Sequence, residues 1–185
     1  MGLRKYVGDY EKQYIIKPNG KPGVTAVYKG KYFRFVANGV EIRAARARFA
    51  ILSLLGTAFA VAPLLYQSVG SHTMYVALPH VVGLFPLFYL LLGVYSFCFS
   101  ETPLIREYRD KTEGRIPGAS LVCACLYGAV AVAQVVCCAL SGFSLPDVMY
   151  FVFLFASSLS FAAIFLMRSV LKTEECKKNG EKINK

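Results

Sequence analysis

Two long runs without charged side chains constrain this chain more than any other feature. No Lys, Arg, Asp or Glu occurs from Phe49 to Ser100, and Asp147 is the only such residue from Ile116 to Met167. A soluble domain cannot cover so much apolar surface, whereas a hydrocarbon core about 30 Å thick is crossed by roughly 20 residues of helix. Each run is therefore long enough for two transmembrane helices.

Polar breaks at residues 67–75 and 141–146 divide each run in two. The sequence therefore predicts four transmembrane helices, at 49–66, 77–99, 118–141 and 147–168. Pro79 and Pro146 are expected in the first turns of the second and fourth helices, where a missing N–H costs little. Pro86 is expected inside the second helix, where proline produces a kink.

Composition leaves two classes of protein open, and the distribution of charge favours one of them. The mean hydropathy is +0.47 and the net charge is +10, which suits either a membrane protein or a nucleic-acid-binding protein. Residues 1–48 hold 11 of the 21 basic residues, the loop 100–117 holds 4, and the tail from Arg168 holds 6. Lys and Arg are retained in cytoplasmic loops, so both termini and the middle loop are predicted to be cytoplasmic. No nucleic-acid-binding module is recognisable, and no nucleic-acid partner is expected.

The predicted fold class is an all-α integral membrane protein with four transmembrane helices in two hairpins. The domain prediction is a cytoplasmic basic and aromatic arm at 1–42, a transmembrane bundle at 43–168 and a cytoplasmic basic tail at 169–185. The expected location is the cell membrane, with both termini in the cytoplasm.

The arm has two interpretations that the sequence does not separate. Lys29–Gly30 can close a β-hairpin between residues 25–28 and 31–36, and Pro18–Asn19–Gly20 is a strong turn signal. Alternatively, the arm is solvated and contains only local turns. Within 32–35 the alternation predicts Phe33 and Phe35 on one face and Tyr32 and Arg34 on the other. The "ANG" at 37–39 is expected to turn the chain into a helix that continues into the first span.

Basic and aromatic side chains ahead of the first span are candidates for contact with a lipid or a protein partner. Aromatic rings suit the headgroup level, and basic residues attract anionic headgroups at about 1 kcal/mol each. The candidate contact residues are Tyr32, Phe33, Arg34, Phe35, Arg43, Arg46 and Arg48.

Three residues in the spans are candidates for a polar or transport site: His80, Gln134 and Asp147. His80 and Asp147 each follow one of the helix-starting prolines and are expected near the membrane boundary. They could form a pair that binds a proton or cation, or Asp147 could simply cap its helix. Gln134 lies deep in the third span and is expected to bond across helices, with Ser157, Ser158 and Ser160 as candidate partners.

No catalytic motif, zinc-ligand spacing or phosphate-binding loop occurs, so no cofactor, metal or catalytic residue is predicted. The leading functional hypothesis is a non-catalytic accessory or interaction subunit that presents its arm to a membrane or cytoplasmic protein partner or to lipid. The alternative is a small transporter or channel for a small solute or ion, working as a homo-oligomer.

Overall fold

A computed structural model describes residues 3–16, 22–65, 67–142 and 144–177 of the chain. The predicted turn at Pro18–Asn19–Gly20 lies outside these residues. Four helices are long and apolar enough to cross a membrane. Their bounds are Gly39–Val61 (α1), Met74–Phe99 (α2), Arg115–Ser141 (α4) and Leu145–Leu166 (α5). The short helix Arg106–Arg109 (α3) is followed by a π-helical turn, Asp110–Gly114, that leads directly into α4.

Local signals explain where the long helices begin and end. Glu41 accepts a hydrogen bond from the backbone N–H of Asn38 at 3.2 Å, which fixes the first turn of α1. The helix then continues into the first span, as the sequence predicts. α4 ends at Ser141 and is followed by Gly142, whose φ of +91° lies in a region that other residues rarely adopt. Pro146 occupies the first turn of α5, also as predicted.

One predicted helix start is wrong. α2 begins at Met74, so Pro79 lies inside the helix together with Pro86 rather than in its first turn. Within a bundle, neighbouring helices compensate for the backbone bonds that such prolines remove, which is why an apolar run can carry two of them.

The four long helices pack as a bundle in which α1 and α4 each lie against α2 and α5. The buried core runs through the bundle and includes Phe49, Leu90, Leu154 and Phe161. Ser157 on α5 donates to the carbonyl of Gly56 on α1 at 2.9 Å, which brings these two helices close together.

In the described part of the chain, five strands lie outside the bundle: Tyr10–Ile16 (β1), Pro22–Tyr28 (β2), Tyr32–Phe35 (β3), Leu104–Ile105 (β4) and Thr173–Cys176 (β5). β1 pairs antiparallel with β2. A second sheet has the order β4-β3-β5, and both of its pairings are antiparallel. The amino-terminal arm, the middle loop and the tail therefore meet at one end of the bundle, called here the sheet end.

The structure corrects the predicted strand pairing of the arm. Residues 25–28 belong to β2 and pair with β1, whereas 32–35 pair with β4 and β5, so the described residues do not form the hairpin across Lys29–Gly30. The opposite end of the bundle, called the loop end, carries the connection from α1 to α2 and the short connection after Gly142. The connection from α1 to α2 includes two short 3-10 helices, Ala62–Leu65 and Gly70–His72.

Candidate functional site

Asp147 forms the centre of a buried polar cluster at the loop end. Its side chain is 0% exposed, and its carboxylate accepts three hydrogen bonds. Oδ1 accepts the backbone N–H of Val69 at 2.9 Å and Nε2 of Gln134 at 3.2 Å, while Oδ2 accepts the hydroxyl of Ser144. The carboxylate therefore joins the start of α5 to α4 and to the α1–α2 connection.

Gln134 completes this cluster on α4 and is also 0% exposed. Besides its bond to Asp147, its Nε2 lies 3.4 Å from Sγ of Cys138, while its Oε1 is buried and has no hydrogen-bond partner. A Cβ at Gly70 would lie 1.6 Å from that oxygen, so the backbone of the loop can approach Gln134 only because residue 70 is glycine.

The predicted serine partners of Gln134 are instead bonded to helix backbone. Ser157, Ser158 and Ser160 donate to the carbonyls of Gly56, Ala124 and Ala156, respectively. The prediction that Gln134 bonds across helices is correct in type, but its partner is Asp147. The serines and the glutamine therefore serve different helix contacts.

His80 lies in a second buried cluster, among α1, α2 and α5. Its Nε2 is 2.8 Å from the carbonyl oxygen of Ala60, and its Nδ1 is 2.7 Å from the hydroxyl of Tyr150. A carbonyl can only accept, so Nε2 carries a hydrogen, and when the ring is neutral Nδ1 accepts from the Tyr150 hydroxyl. The ring of Tyr127 packs edge-on against His80 with centroids 5.8 Å apart, and its hydroxyl is buried without a partner.

The structure does not bring His80 and Asp147 together as one site. The recorded polar partners of His80 are Ala60 and Tyr150, and those of Asp147 are Val69, Gln134 and Ser144. Both side chains are also buried inside the bundle, with exposures of 1% and 0%. Among the described residues, no group of three His, Cys, Asp or Glu side chains is arranged to hold a metal ion.

At the sheet end, the two phenylalanines predicted as contact residues face the protein interior. Phe33 and Phe35 are each 4% exposed and alternate with half-buried Tyr32 and Arg34, which confirms the predicted alternation. The guanidinium of Arg109 lies 4.5 Å from the centroid of the Phe33 ring, and the Phe35 ring packs edge-on against Phe97 at 5.4 Å. These two rings hold the sheet against the bundle and are not available to a lipid or partner.

The remaining candidate contact residues differ in their surroundings. Arg34 pairs with Glu174 at 2.8 Å. Arg46 donates to the carbonyl of Ser100 at 2.6 Å and therefore ties α1 to the end of α2. Arg43 and Arg48 are exposed and remain candidates for contact outside the chain.

The β1–β2 pair presents an exposed aromatic face at the sheet end. The register places Tyr10, Tyr14 and Val24 on one face, because Tyr14 lies opposite Val24 and Tyr10 opposite Tyr28. These side chains are 37%, 83% and 55% exposed. We refer to Tyr10, Tyr14 and Val24 as the aromatic face. Its inner end is anchored by Tyr28, whose hydroxyl accepts the backbone N–H of Arg106 at 3.1 Å.

Sequence reasoning missed the groups that complete these clusters. Tyr127 and Tyr150 are uncharged aromatic residues in apolar runs, and nothing in their local sequence marks them as neighbours of His80. Arg109 was recognisable only as part of a charged loop, although its i,i+4 spacing to Glu113 predicts the ion pair that is observed at 3.1 Å. No known protein family, curated protein or solved structure matches this chain, so its function is argued from these sites alone.

Proposed function

We propose that this chain is a non-catalytic accessory or interaction subunit of a cell membrane, with its sheet end in the cytoplasm. The observation that carries the proposal is the way three distant segments combine at that end. The arm, the middle loop and the tail contribute one strand each to the sheet β4-β3-β5. An anchored platform of this kind can hold the β1–β2 pair in position for a protein partner.

The β1–β2 pair needs a further contact to be stable. Two isolated strands are marginal in water, and this pair leaves both of its outer edges unpaired in the described sheets. Its aromatic face has the composition that interface centres favour, since tyrosine is enriched there. A protein that covers Tyr14 and Val24 would bury apolar surface and also stabilise the pair.

The polar groups of the bundle support the same proposal. Gln134 bonds to Asp147, and Ser157 and Ser158 on α5 bond to carbonyls of α1 and α4, so these polar groups join helices to one another. Residues arranged to conduct a solute would instead direct polar groups into a continuous cavity.

Photo-crosslinking from the aromatic face tests the interaction. A photoreactive amino acid at position 14 should capture a protein partner in intact cells. Because this first crosslinker occupies position 14, a second one is placed at exposed Lys12 on the same strand. From that position, the double variant Tyr14→Ser with Val24→Ser should capture less of the partner than the wild type. The matched control is Gln13→Ser with Thr25→Ser, which alters the cross-strand pair on the other face. Equal capture by both double variants, or capture of lipid alone, would contradict a protein-binding role for this face.

We infer the orientation from the three basic segments, which are residues 1–48, the loop 100–117 and the tail from Arg168. The strands of these segments lie at the sheet end, and basic segments are retained in the cytoplasm. A single introduced cysteine at Gln67 should react with a membrane-impermeant maleimide from outside the cell, whereas one at Lys12 should react only after permeabilisation. The reverse pattern would place the sheet end outside and remove a cytoplasmic partner from consideration.

A small carrier or channel is the second candidate, and the buried Tyr127 hydroxyl beside His80 favours it. This hydroxyl has no partner, although it lies inside a cluster that contains a titratable ring. Vesicles that contain the protein and a pH-sensitive dye should then show proton flux that His80→Asn reduces. Flux equal to that of protein-free vesicles would exclude proton conduction by this cluster.

A further inference from the structure

A groove of about 560 Å³ lies between α2 and α4, close to the sheet end. Its walls at one end are apolar and include Pro86 and Val122, and its other end carries the polar groups of Tyr89 and Arg115. The groove is therefore amphipathic along its length, which an ordinary lipid-facing seam between two apolar helices is not.

Two glycines, one on α4 and one in the turn before it, leave part of the groove open. Gly114 and Gly118 both line it, and a Cβ added at either would meet no atom within 4 Å. Glycine inside a helix costs about 1 kcal/mol relative to alanine, and no close helix contact explains that cost at these two positions.

Arg115 supplies a positive charge at the end of α4 where its apolar run begins. It is the last charged residue before the uncharged run that starts at Ile116, so it stands where the charged segment meets the membrane-spanning part of α4. Its guanidinium lies 4.9 Å from the centroid of the Tyr89 ring, which holds it over the polar end of the groove. Asp110, the acidic residue of the lining, accepts the hydroxyl of Tyr6 at 3.0 Å.

We propose that this groove binds one phospholipid of the leaflet at the sheet end. Its phosphate pairs with Arg115, and one acyl chain lies along Gly118 and Val122 toward Pro86. A guanidinium offers a planar set of donors that matches phosphate oxygens, and an apolar groove left open at Gly118 can accommodate a hydrocarbon chain. The proposal rests on membrane insertion of the bundle and not on the interaction role of the β1–β2 pair.

Native mass spectrometry of the full chain, purified in mild detergent, tests the site with defined lipids. The probes are phosphatidylglycerol, phosphatidylethanolamine and diacylglycerol with identical acyl chains. The wild-type chain should retain one molecule of a phosphate-bearing lipid and should not retain diacylglycerol. Arg115→Ala should lower that retention about tenfold or more, since a charge-assisted contact is lost. Gly118→Leu should lower it as well, because the leucine side chain would occupy the groove while the charge remains.

Arg168→Ala is the matched control. Arg168 also rests on an aromatic ring, with its guanidinium 4.3 Å from the Phe165 centroid, but it does not line the groove. This variant should retain lipid as the wild type does. Equal retention of diacylglycerol, or unchanged retention in both Arg115→Ala and Gly118→Leu, would overturn the proposal. A variant that does not fold is replaced by Arg115→Gln or Gly118→Val, whose retention is judged by the same criterion. Crosslinking from the aromatic face is a separate readout, so either proposal can fail alone.

Discussion

Replacing Asp147 with alanine should destabilise the bundle by removing a buried acceptor from three donors. The hydroxyl of Ser144 is on an exposed residue and can bond to water, so its loss contributes little. The amide of fully buried Gln134 loses an acceptor, which costs about 1–3 kcal/mol, and the N–H of Val69, a residue that is 43% exposed, loses one at about 1 kcal/mol. Gln134 keeps its contact with Cys138, so the expected total is about 2–4 kcal/mol.

Asp147→Asn should be milder, because the amide oxygen still accepts from Val69 and Gln134. Only the bond from Ser144 is lost, and because that exposed hydroxyl can bond to water the cost should stay below about 1 kcal/mol. Removing both buried partners, in Asp147→Leu with Gln134→Leu, should cost less than the sum of the two single changes, because neither group is then left unpaired.

Heating in detergent with a fluorogenic maleimide measures these differences. Cys137 and Cys138 are each 3% exposed and should react only when the bundle opens, once the other cysteines have been replaced by alanine. For a chain of this size, 2–4 kcal/mol corresponds to roughly 5–15 °C in melting temperature. Leu145→Ala, at a side chain that is 77% exposed on the same turn, is the control. The reasoning would be refuted if Asp147→Ala had the same melting temperature as Leu145→Ala, or a higher melting temperature than Asp147→Asn.

Three further predictions concern the sheet end and the helix packing. Phe35→Ala removes a buried ring that packs on Phe97 and should lower the local stability of the sheet by about 3–5 kcal/mol. Trypsin should then cleave the tail faster than in the wild type, and unchanged cleavage would contradict a packed sheet. Burial raises the pKa of the Cys176 thiol above its ordinary 9.0. The folded sheet therefore holds the thiol proton more tightly than the unfolded chain does, and it should lose stability as the pH rises above 9.0. Slow alkylation of Cys176 by iodoacetamide at pH 8 would confirm that the thiol is protonated and buried. Gly56→Val would place a Cβ 2.7 Å from the ring of Phe161. This clash should destabilise the protein by about 1–3 kcal/mol, measured as a lower melting temperature. An unchanged melting temperature would show that α1 and α5 are not packed at this position.

The four long apolar helices were predictable because their signal is local and uses many residues at once. A run of about 20 uncharged residues can satisfy its backbone in lipid only as a helix, whatever the rest of the chain does. The continuation of α1 from Gly39 and the position of Pro146 were predictable for the same reason, since capping and proline geometry act within one turn. Pro79 was misplaced because the apolar pattern does not distinguish the first turn from the second.

The strand partners of the arm were not predictable from the turn signals beside them. A glycine after Lys29 permits a tight turn, but whether a strand pairs across it depends on what else can reach its edge. Glu174 lies 140 positions from Arg34 along the chain, and only the folded bundle brings the two strands together.

The sequence by itself determined that this chain forms four helices long and apolar enough to cross a membrane, and which face of residues 32–35 is apolar. These features depend on the hydropathy and spacing of neighbouring residues, so they can be derived without knowing the fold. The tertiary structure alone decided that Asp147 bonds to Gln134, that His80 bonds to Tyr150, and that Phe33 is buried under Arg109. Each of these contacts joins two different elements, and its geometry exists only once the elements have packed.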